Sequence, residues 1–312
     1  MKILLLGANG QVGHELLAAL RSSRIIAATR SGLLDNGTAC EAADLADQSA
    51  LRELLERIHP EVIINAAAYT AVDRAEQEAE LADRVNHQAL ATLGNWAQAN
   101  RALVVHYSTD YVFDGSALLP YHEDDPTAPL GVYGHSKLAG EVALRASGAK
   151  HFIFRTAWVY AARGSNFLHT MLRIGTQNEH LHIVDDQIGT PTPAGLIARH
   201  TVAALLRWVR LDEHERDQAL GTYHLTSSVP CSWFEFATAI FDEAHAAGII
   251  SRKPKLTPIS TSQYPTPARR PAWSVLDNGK LALVFGLAAP PWRRGLHDVI
   301  DQLQKQKQKK SC

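Results

Sequence analysis

Tyr133 and Lys137 stand four residues apart in the run Tyr133-Gly134-His135-Ser136-Lys137, the spacing at which two helical side chains share a face. An ammonium beside a phenol favours the phenolate and lowers a pKa that starts near ~10, so Tyr133 is expected to work as an acid/base near neutrality. Upstream, Leu103 to His106 reads as a strand ending at Ser108-Thr109-Asp110, which puts the Thr109 hydroxyl at a strand end. At the N-terminus, Gly7-Ala8-Asn9-Gly10-Gln11-Val12-Gly13 follows the apolar run Ile3 to Leu6. Glycines in a strand-to-helix turn permit the tight bend and let backbone N–H groups approach a pyrophosphate at the positive end of a helix. A dinucleotide loop with a Tyr/Lys pair and a strand-end hydroxyl is a set suited to hydride transfer.

The elements that must position these residues alternate. Ile3 to Leu6 is a buried first strand, and Val12, Leu16, Leu17 and Leu20 give the next segment a helical apolar face. Ile25 to Ala28 is the second strand, and Leu51, Leu54, Leu55 and Ile58 mark a helix ended by Pro60. Val62 to Ile64, a long helix over Ala82 to Ala99, the Tyr133 helix and Phe152 to Arg155 continue the pattern. Such alternation predicts βαβ units and a doubly wound parallel sheet of Rossmann type. After about Trp158 the order weakens: loops over Asp185 to Pro193 and Pro254 to Pro271 separate helices such as Gly195 to Leu211 and Trp233 to Ala247. The expected organisation is a dinucleotide-binding domain over 1–156 and a smaller C-terminal α/β lobe over 157–312. Segments near 178–193 and 221–252 are expected to return to the first domain, and the cleft between the lobes is the expected site.

The 312 residues carry 46% hydrophobic and 20% charged side chains with a formal net charge of −1, which gives no electrostatic case for nucleic acid or an acidic membrane. Cys40, Cys231 and Cys312 are odd in number and scattered, against a disulfide framework or structural zinc. Neither a signal peptide nor a membrane span is expected, and the reading is cytoplasmic. The basic run Lys305 to Lys310 reads as a fraying terminus. The 15 histidines show no metal-binding spacing, and no G-x-S-x-G elbow supports a hydrolase.

Cofactor choice turns on the residue after the second strand, where an acid holds a ribose 2′-hydroxyl and a base accepts a 2′-phosphate. Thr29-Arg30-Ser31 stands there, so Arg30 favours NADPH, with NADH the alternative. Asp44-Leu45, after a candidate third strand, would flank the adenine. Ala66-Ala67-Ala68 keep side chains small where a cofactor would pass, and a tightly packed loop explains them as well.

Six stretches carry a resemblance across nearly the whole chain: Gly7 to Gly13, Asn65 to Asp73, Ser108 to Gly115, Tyr133 to Glu141, Gln187 to Thr192 and Arg270 to Asp277. Through them the chain resembles the extended short-chain dehydrogenase/reductases that act on nucleotide sugars, and among these the dTDP-4-dehydrorhamnose reductases. The resemblance implies a Rossmann domain with a sugar-nucleotide lobe, and reduction of the C4 ketone of dTDP-4-dehydro-β-L-rhamnose. It implies that Tyr133 donates a proton, that Thr109 binds the same oxygen and that Lys137 holds the nicotinamide ribose. Asp110, Tyr111 and Trp158 would contact the sugar, and Arg270 the diphosphate, a role its neighbour Arg269 could share.

Related 4,6-dehydratases carry Asp then Glu after the Thr, and Tyr111 replaces that Glu, which favours simple reduction. Glu15 stands where some members place a metal-binding glutamate. Pro193-Ala194-Gly195 stands where its partner is expected, which argues against Mg2+ and leaves a monomer or another homodimer. Two alternatives remain from the sequence: a reductase of another 4-keto-6-deoxy nucleotide sugar, and a non-catalytic NADP-binding regulatory subunit.

Overall fold

The computed structural model describes residues 1–20 and 24–311; Cys312, counted above, lies outside the described residues. Seven strands form one sheet in the spatial order Gly221–His224, His151–Thr156, Leu103–Thr109, Val62–Asn65, Lys2–Leu6, Arg24–Thr29, Glu41–Ala42, and every pairing is parallel. The chain order reverses beside the first strand. There the loops after Leu6 and Asn65 face one another, the place where open parallel sheets bind ligands.

Successive side chains of a strand point to opposite faces, and the first strand shows both consequences. Ile3 and Leu5 enter a core with Leu16 of the Gln11–Ala19 helix and Leu20 at its C-terminal cap, while Leu4 and Leu6 pack with Leu51, Leu54 and Leu55 of the Gln48–Ile58 helix. A sheet covered by helices on both faces needs apolar runs rather than alternation, as Val62–Asn65 and Leu103–Thr109, buried throughout, also show.

The division of the chain differs from the expected one. Ile197, Ala198, Ala204 and Leu205 of the Ala194–Arg210 helix and Phe285 of the Gly279–Phe285 helix share the core of Ile3 and Leu5. These two helices therefore cover the sheet instead of belonging to the smaller lobe. Segment 178–193 does not return to the main sheet. His180–Val184 pairs with Lys255–Ile259, a strand inside the expected Pro254 to Pro271 loop. The reason is packing: Leu181 and Ile183 bury one strand face against Phe236 and Ile240 of the Trp233–Ala246 helix, in the lobe's own core. Gly221–His224 does lie on the main sheet, at its edge beside His151–Thr156.

Two further elements depart from their periodicity. The expected Ala82 to Ala99 helix is broken by a π-helical turn over Arg84–Gln88. The basic terminus continues the Trp292–Ser311 helix, where Lys307 Nζ donates to the carbonyls of Gly248 and Ile249 at 3.0 and 3.2 Å. Among the described residues no helix is long and apolar enough to cross a membrane.

Candidate active site

Thr109 is the last residue of its strand, and its hydroxyl turns the chain. The hydroxyl accepts the Tyr111 N–H at 3.2 Å and donates to Asp110 Oδ1 at 3.0 Å, capping the short Asp110–Val112 helix. Tyr111 then meets Tyr133 edge-on, ring centroids 5.7 Å apart. The Val132–Ala146 helix, which bears Tyr133 and Lys137, takes its N-terminal partner from a distant loop: the Glu76 carboxylate accepts the Val132 N–H at 2.9 Å. Thr109, Asp110, Tyr111, Tyr133 and Lys137 are thereby brought to one end of the sheet.

Electrostatics correct one expectation. Burial pushes the Tyr133 phenol up to about 12; hydrogen bonding with Thr109 opposes this and the Asp110 charge adds to it. Lys137 does not lower it. The Lys137 ammonium turns to the strand beneath, Nζ donating to the Tyr107 carbonyl at 2.6 Å and lying 3.1 Å from His106 Nε2. With 1% of its surface exposed, burial pulls Lys137 down to about 7, against the charge of Glu141. Both groups are driven toward neutrality for the same reason, loss of water around the charged form. Asp110 is likewise pushed up to about 6 by burial, against hydrogen bonds with Ser274 and Thr109. Its Oδ2 has no hydrogen-bond partner among the described residues.

The glycine turn is a close-packed cradle. Gly7 has φ +79°, and a Cβ there would stand 2.6 Å from the Ala67 nitrogen, while one on Gly13 would fall on the Gly7 carbonyl oxygen. The Gln11–Ala19 helix starts at Gly10 with no side-chain cap among the described residues, so its first N–H groups remain for an anion. Ala66, Ala67 and Ala68 form the opposite loop, whose backbone lies against Gly7 and Gly10. This is the shape a dinucleotide pyrophosphate requires.

Other residues named for the cofactor have structural partners as well. Asn9 braces the loop after the second strand, donating to the Leu33 carbonyl at 2.9 Å and accepting the Asp35 N–H at 3.1 Å. Gln11 accepts from Asn166 at 2.8 Å, and Val12 packs on the core. Arg30 is exposed one residue past the Arg24–Thr29 strand. Asp44 accepts the Ala46 N–H at 2.9 Å, and the Leu45 side chain is buried in the core with Leu51 and Leu54.

The C-terminal lobe supplies the other wall. Arg270 Nη2 donates to Asp73 at 2.8 Å, and Asp73 also accepts the Ala268 N–H at 3.2 Å. Val72, Glu76, Ala268 and Arg269 line a crevice beside Tyr111 and Tyr133. Trp158, at φ +46°, carries Trp233 stacked on its ring at 3.4 Å between centroids, and Gly189 lies against the same indole, where an added Cβ would stand 2.4 Å from Cε2. Among the described residues no three metal-ligating side chains come together, and Glu15 lies beside Gly195 and Arg199.

Sequence reasoning missed the buried polar residues behind this set. Asn86, in the π-helical turn, exchanges hydrogen bonds with the Tyr69 backbone at 2.9 and 3.0 Å and donates to Ser136 at 3.0 Å, tying the Ala66–Tyr69 loop to the Tyr133 helix. Glu141 is buried against Arg155 at 2.8 Å. His106 stands in a strand otherwise apolar up to Tyr107, a polar interruption visible in the sequence.

The comparisons with known proteins agree over almost the full chain. Residues 1–305 match the family described as RmlD substrate binding domain. A dTDP-4-dehydrorhamnose reductase of Escherichia coli is 43% identical over 303 residues, covering 97% of this chain and 98% of the relative. One from Burkholderia thailandensis is 44% identical, covering 94% and 96%. Among solved structures, a dTDP-4-dehydrorhamnose reductase of Clostridium acetobutylicum superposes with TM-score 0.85 at 37% identity, covering 97% and 100%. One from Bacillus anthracis in complex with NADP gives 0.84 at 33%, covering 96% and 99%. A UDP-glucose 4-epimerase of Thermus thermophilus, at 18% identity and TM-score 0.79, shares the fold. With the glycine cradle, the Thr109–Tyr133 turn and this full-length match, the chain belongs to the RmlD substrate binding domain family.

Proposed function

We propose that the protein is an NADPH-dependent reductase that converts the C4 ketone of dTDP-4-dehydro-β-L-rhamnose to the alcohol of dTDP-β-L-rhamnose, in the cytoplasm. The observation that carries the reading is the convergence of Thr109, Tyr133 and Lys137 at the sheet end facing the glycine cradle, in a chain 43% identical to a dTDP-4-dehydrorhamnose reductase. Gly7, Gly10 and Gly13 with the Gln11 to Gly13 N–H groups would hold the pyrophosphate, Ala66 to Ala68 the passage beside it, and Arg30 the 2′-phosphate. When bound, the nicotinamide supplies the hydride.

The chain's own groups do the rest. Tyr133 donates its proton to the oxygen that becomes an alkoxide. A phenol pushed up to about 12 is protonated at neutral pH, as an acid must be before the reaction. Thr109 would turn its one hydroxyl proton from Asp110 Oδ1 to the same oxygen, where charge develops. Lys137 donates to the ribose hydroxyls and, through them, stabilises the phenolate left on Tyr133. Arg270, now on Asp73, would turn its fork to the diphosphate, and the exposed edge of Trp158, whose ring lies between Trp233 and Gly189, would meet the deoxy sugar. Tyr111 stands where elimination would need a base for the C5 proton, which favours reduction over elimination.

The test is NADPH oxidation with dTDP-4-dehydrorhamnose made in situ from dTDP-glucose by a dehydratase and an epimerase. Turnover that vanishes when the epimerase is omitted supports the reading. Equal turnover without it assigns the unepimerised keto sugar instead. NADPH binding with no turnover on either sugar refutes it.

A further inference from the structure

Trp158 combines three locally costly features. Its backbone is left-handed at φ +46°, a conformation that a bulky residue keeps only where its surroundings hold it. Trp233 lies flat on its ring, with centroids 3.4 Å apart and planes within 5° of parallel, although aromatic pairs favour offset or edge-on contact over full overlap. Against the same indole, Gly189 comes so near that a Cβ there would stand 2.4 Å from Cε2 and 2.6 Å from Cζ2 and Nε1. Such costs gathered on one side chain at the rim of a site point to a conformation kept for function. The rim is the reaction centre's own: Thr156, two residues before Trp158, pairs with Thr109 across the sheet.

We propose that Trp233 and Gly189 are positioning residues for the nucleotide sugar: they grip the Trp158 indole between them and fix the angle at which its free edge meets the ligand. The inference rests on the reading of Trp158 as a wall of the sugar site. Both sides of the grip are anchored. Trp233 opens the Trp233–Ala246 helix, whose N-terminus is closed by reciprocal Ser232 and Glu235 hydrogen bonds. Its Nε1 donates to Gln187 Oε1 at 3.2 Å, and Phe167 supports its ring at 4.5 Å between centroids. Gly189 follows Ile188, whose N–H donates to the Ala272 carbonyl at 2.7 Å and whose carbonyl accepts the Ser274 N–H at 2.8 Å. The run Gln187 to Thr192 thus ties the Arg270 segment to both indoles, a role its sequence alone did not disclose. Trp158 Nε1 has no hydrogen-bond partner among the described residues and is not sealed from solvent, so its donor remains for an oxygen of the ligand.

The test separates binding of sugar from binding of cofactor. Trp233→Ala frees one face of Trp158 and should raise KM for dTDP-4-dehydrorhamnose about tenfold, with kcat and NADPH affinity near wild type. Trp233→Phe keeps a flat ring and should bring KM back to within about twofold. A merely structural role would lower Tm in both variants and leave KM unchanged in the folded protein; that result would overturn the proposal. Because Trp233 also packs on the lobe's core, a second measurement uses the wild-type protein. In NMR of the 15N-tryptophan-labelled enzyme, the Trp158 indole signal, assigned with Trp158→Phe, should shift when dTDP-rhamnose is added to the NADPH complex. An unmoved signal at saturating dTDP-rhamnose would overturn the proposal. Failure of the reductase reading would show separately, as missing turnover by the wild-type protein.

Discussion

Arg270 and Asp73, 197 positions apart in the chain, meet at 2.8 Å beside the Tyr111–Tyr133 crevice and join the C-terminal lobe to the short Val72–Ala75 helix that follows the Val62–Asn65 strand. The Arg270 side chain is 21% exposed, so a ligand can reach it. Arg270→Ala should raise KM for the nucleotide sugar by about 10- to 100-fold, the weight of a charged hydrogen bond worth ~1.5–3 kcal/mol. With kcat and NADPH affinity near wild type, the loss would be one of ground-state binding. An unchanged KM would remove Arg270 from the site.

Lys137 is held down at about 7 by burial against the Glu141 charge, whereas in an unfolded chain a lysine titrates near ~10.4. Between those two values the unfolded chain binds the extra proton, so this group makes stability rise with pH. Below the lower value the cost of burying the charge is fully present. Lys137→Met should therefore raise Tm at pH 6 while abolishing turnover, and the gain should shrink as pH climbs toward 10. Thermal melts at three pH values check it; a variant less stable at every pH would contradict it.

Arg30 is the exposed basic residue one position past the second strand, with Ser31 beside it. Arg30→Asp should shift the preference from NADPH toward NADH, because a carboxylate repels a 2′-phosphate and accepts from a 2′-hydroxyl. The ratio of kcat/KM values for the two nucleotides measures this. A ratio equal to that of wild type would place the phosphate elsewhere.

Glu141 and Arg155 form a buried ion pair at 2.8 Å, with 0% and 3% of their side chains exposed. Burial works to raise the Glu141 pKa, but hydrogen bonds and charge from Arg155 outweigh it and leave the carboxyl below its ordinary value. A depressed carboxyl contributes stability above its unfolded pKa and loses it as pH falls through the folded one. Arg155→Met leaves the buried carboxylate with Arg145 alone, at 3.0 Å, and should cost ~3 kcal/mol by denaturant unfolding at neutral pH. Part of that loss should be regained in acid, where Glu141 is protonated. A loss below about 1 kcal/mol would mean that the pair carries little weight.

Much of this architecture was legible because the first half of the chain states it locally. Ile3 to Leu6 and Leu51 to Ile58 have unambiguous periods, and Gly7, Gly10 and Gly13 sit where a strand must become a helix. Contacts made at long range were not legible. The Ala194–Arg210 helix has an ordinary amphipathic face, and nothing in it says that the face lies on the main sheet rather than on the lobe. Lys255–Ile259 was hidden by Pro254 and Pro258, since a strand at a two-stranded edge tolerates proline that a central strand does not. In the site, the Tyr133–Lys137 spacing was read correctly as a shared helix with the wrong electrostatics. Helical spacing does not reveal that the ammonium bends down to Tyr107 and His106, nor how dry the pocket is.

The most direct test of the account is kcat of Tyr133→Phe against wild type with NADPH and dTDP-4-dehydrorhamnose at neutral pH, with NADPH affinity measured on both. The account predicts a fall of about 10²-fold or more, the weight of a positioned general acid, with affinity for the nucleotide near wild type. Turnover close to wild type in the phenylalanine variant would contradict it.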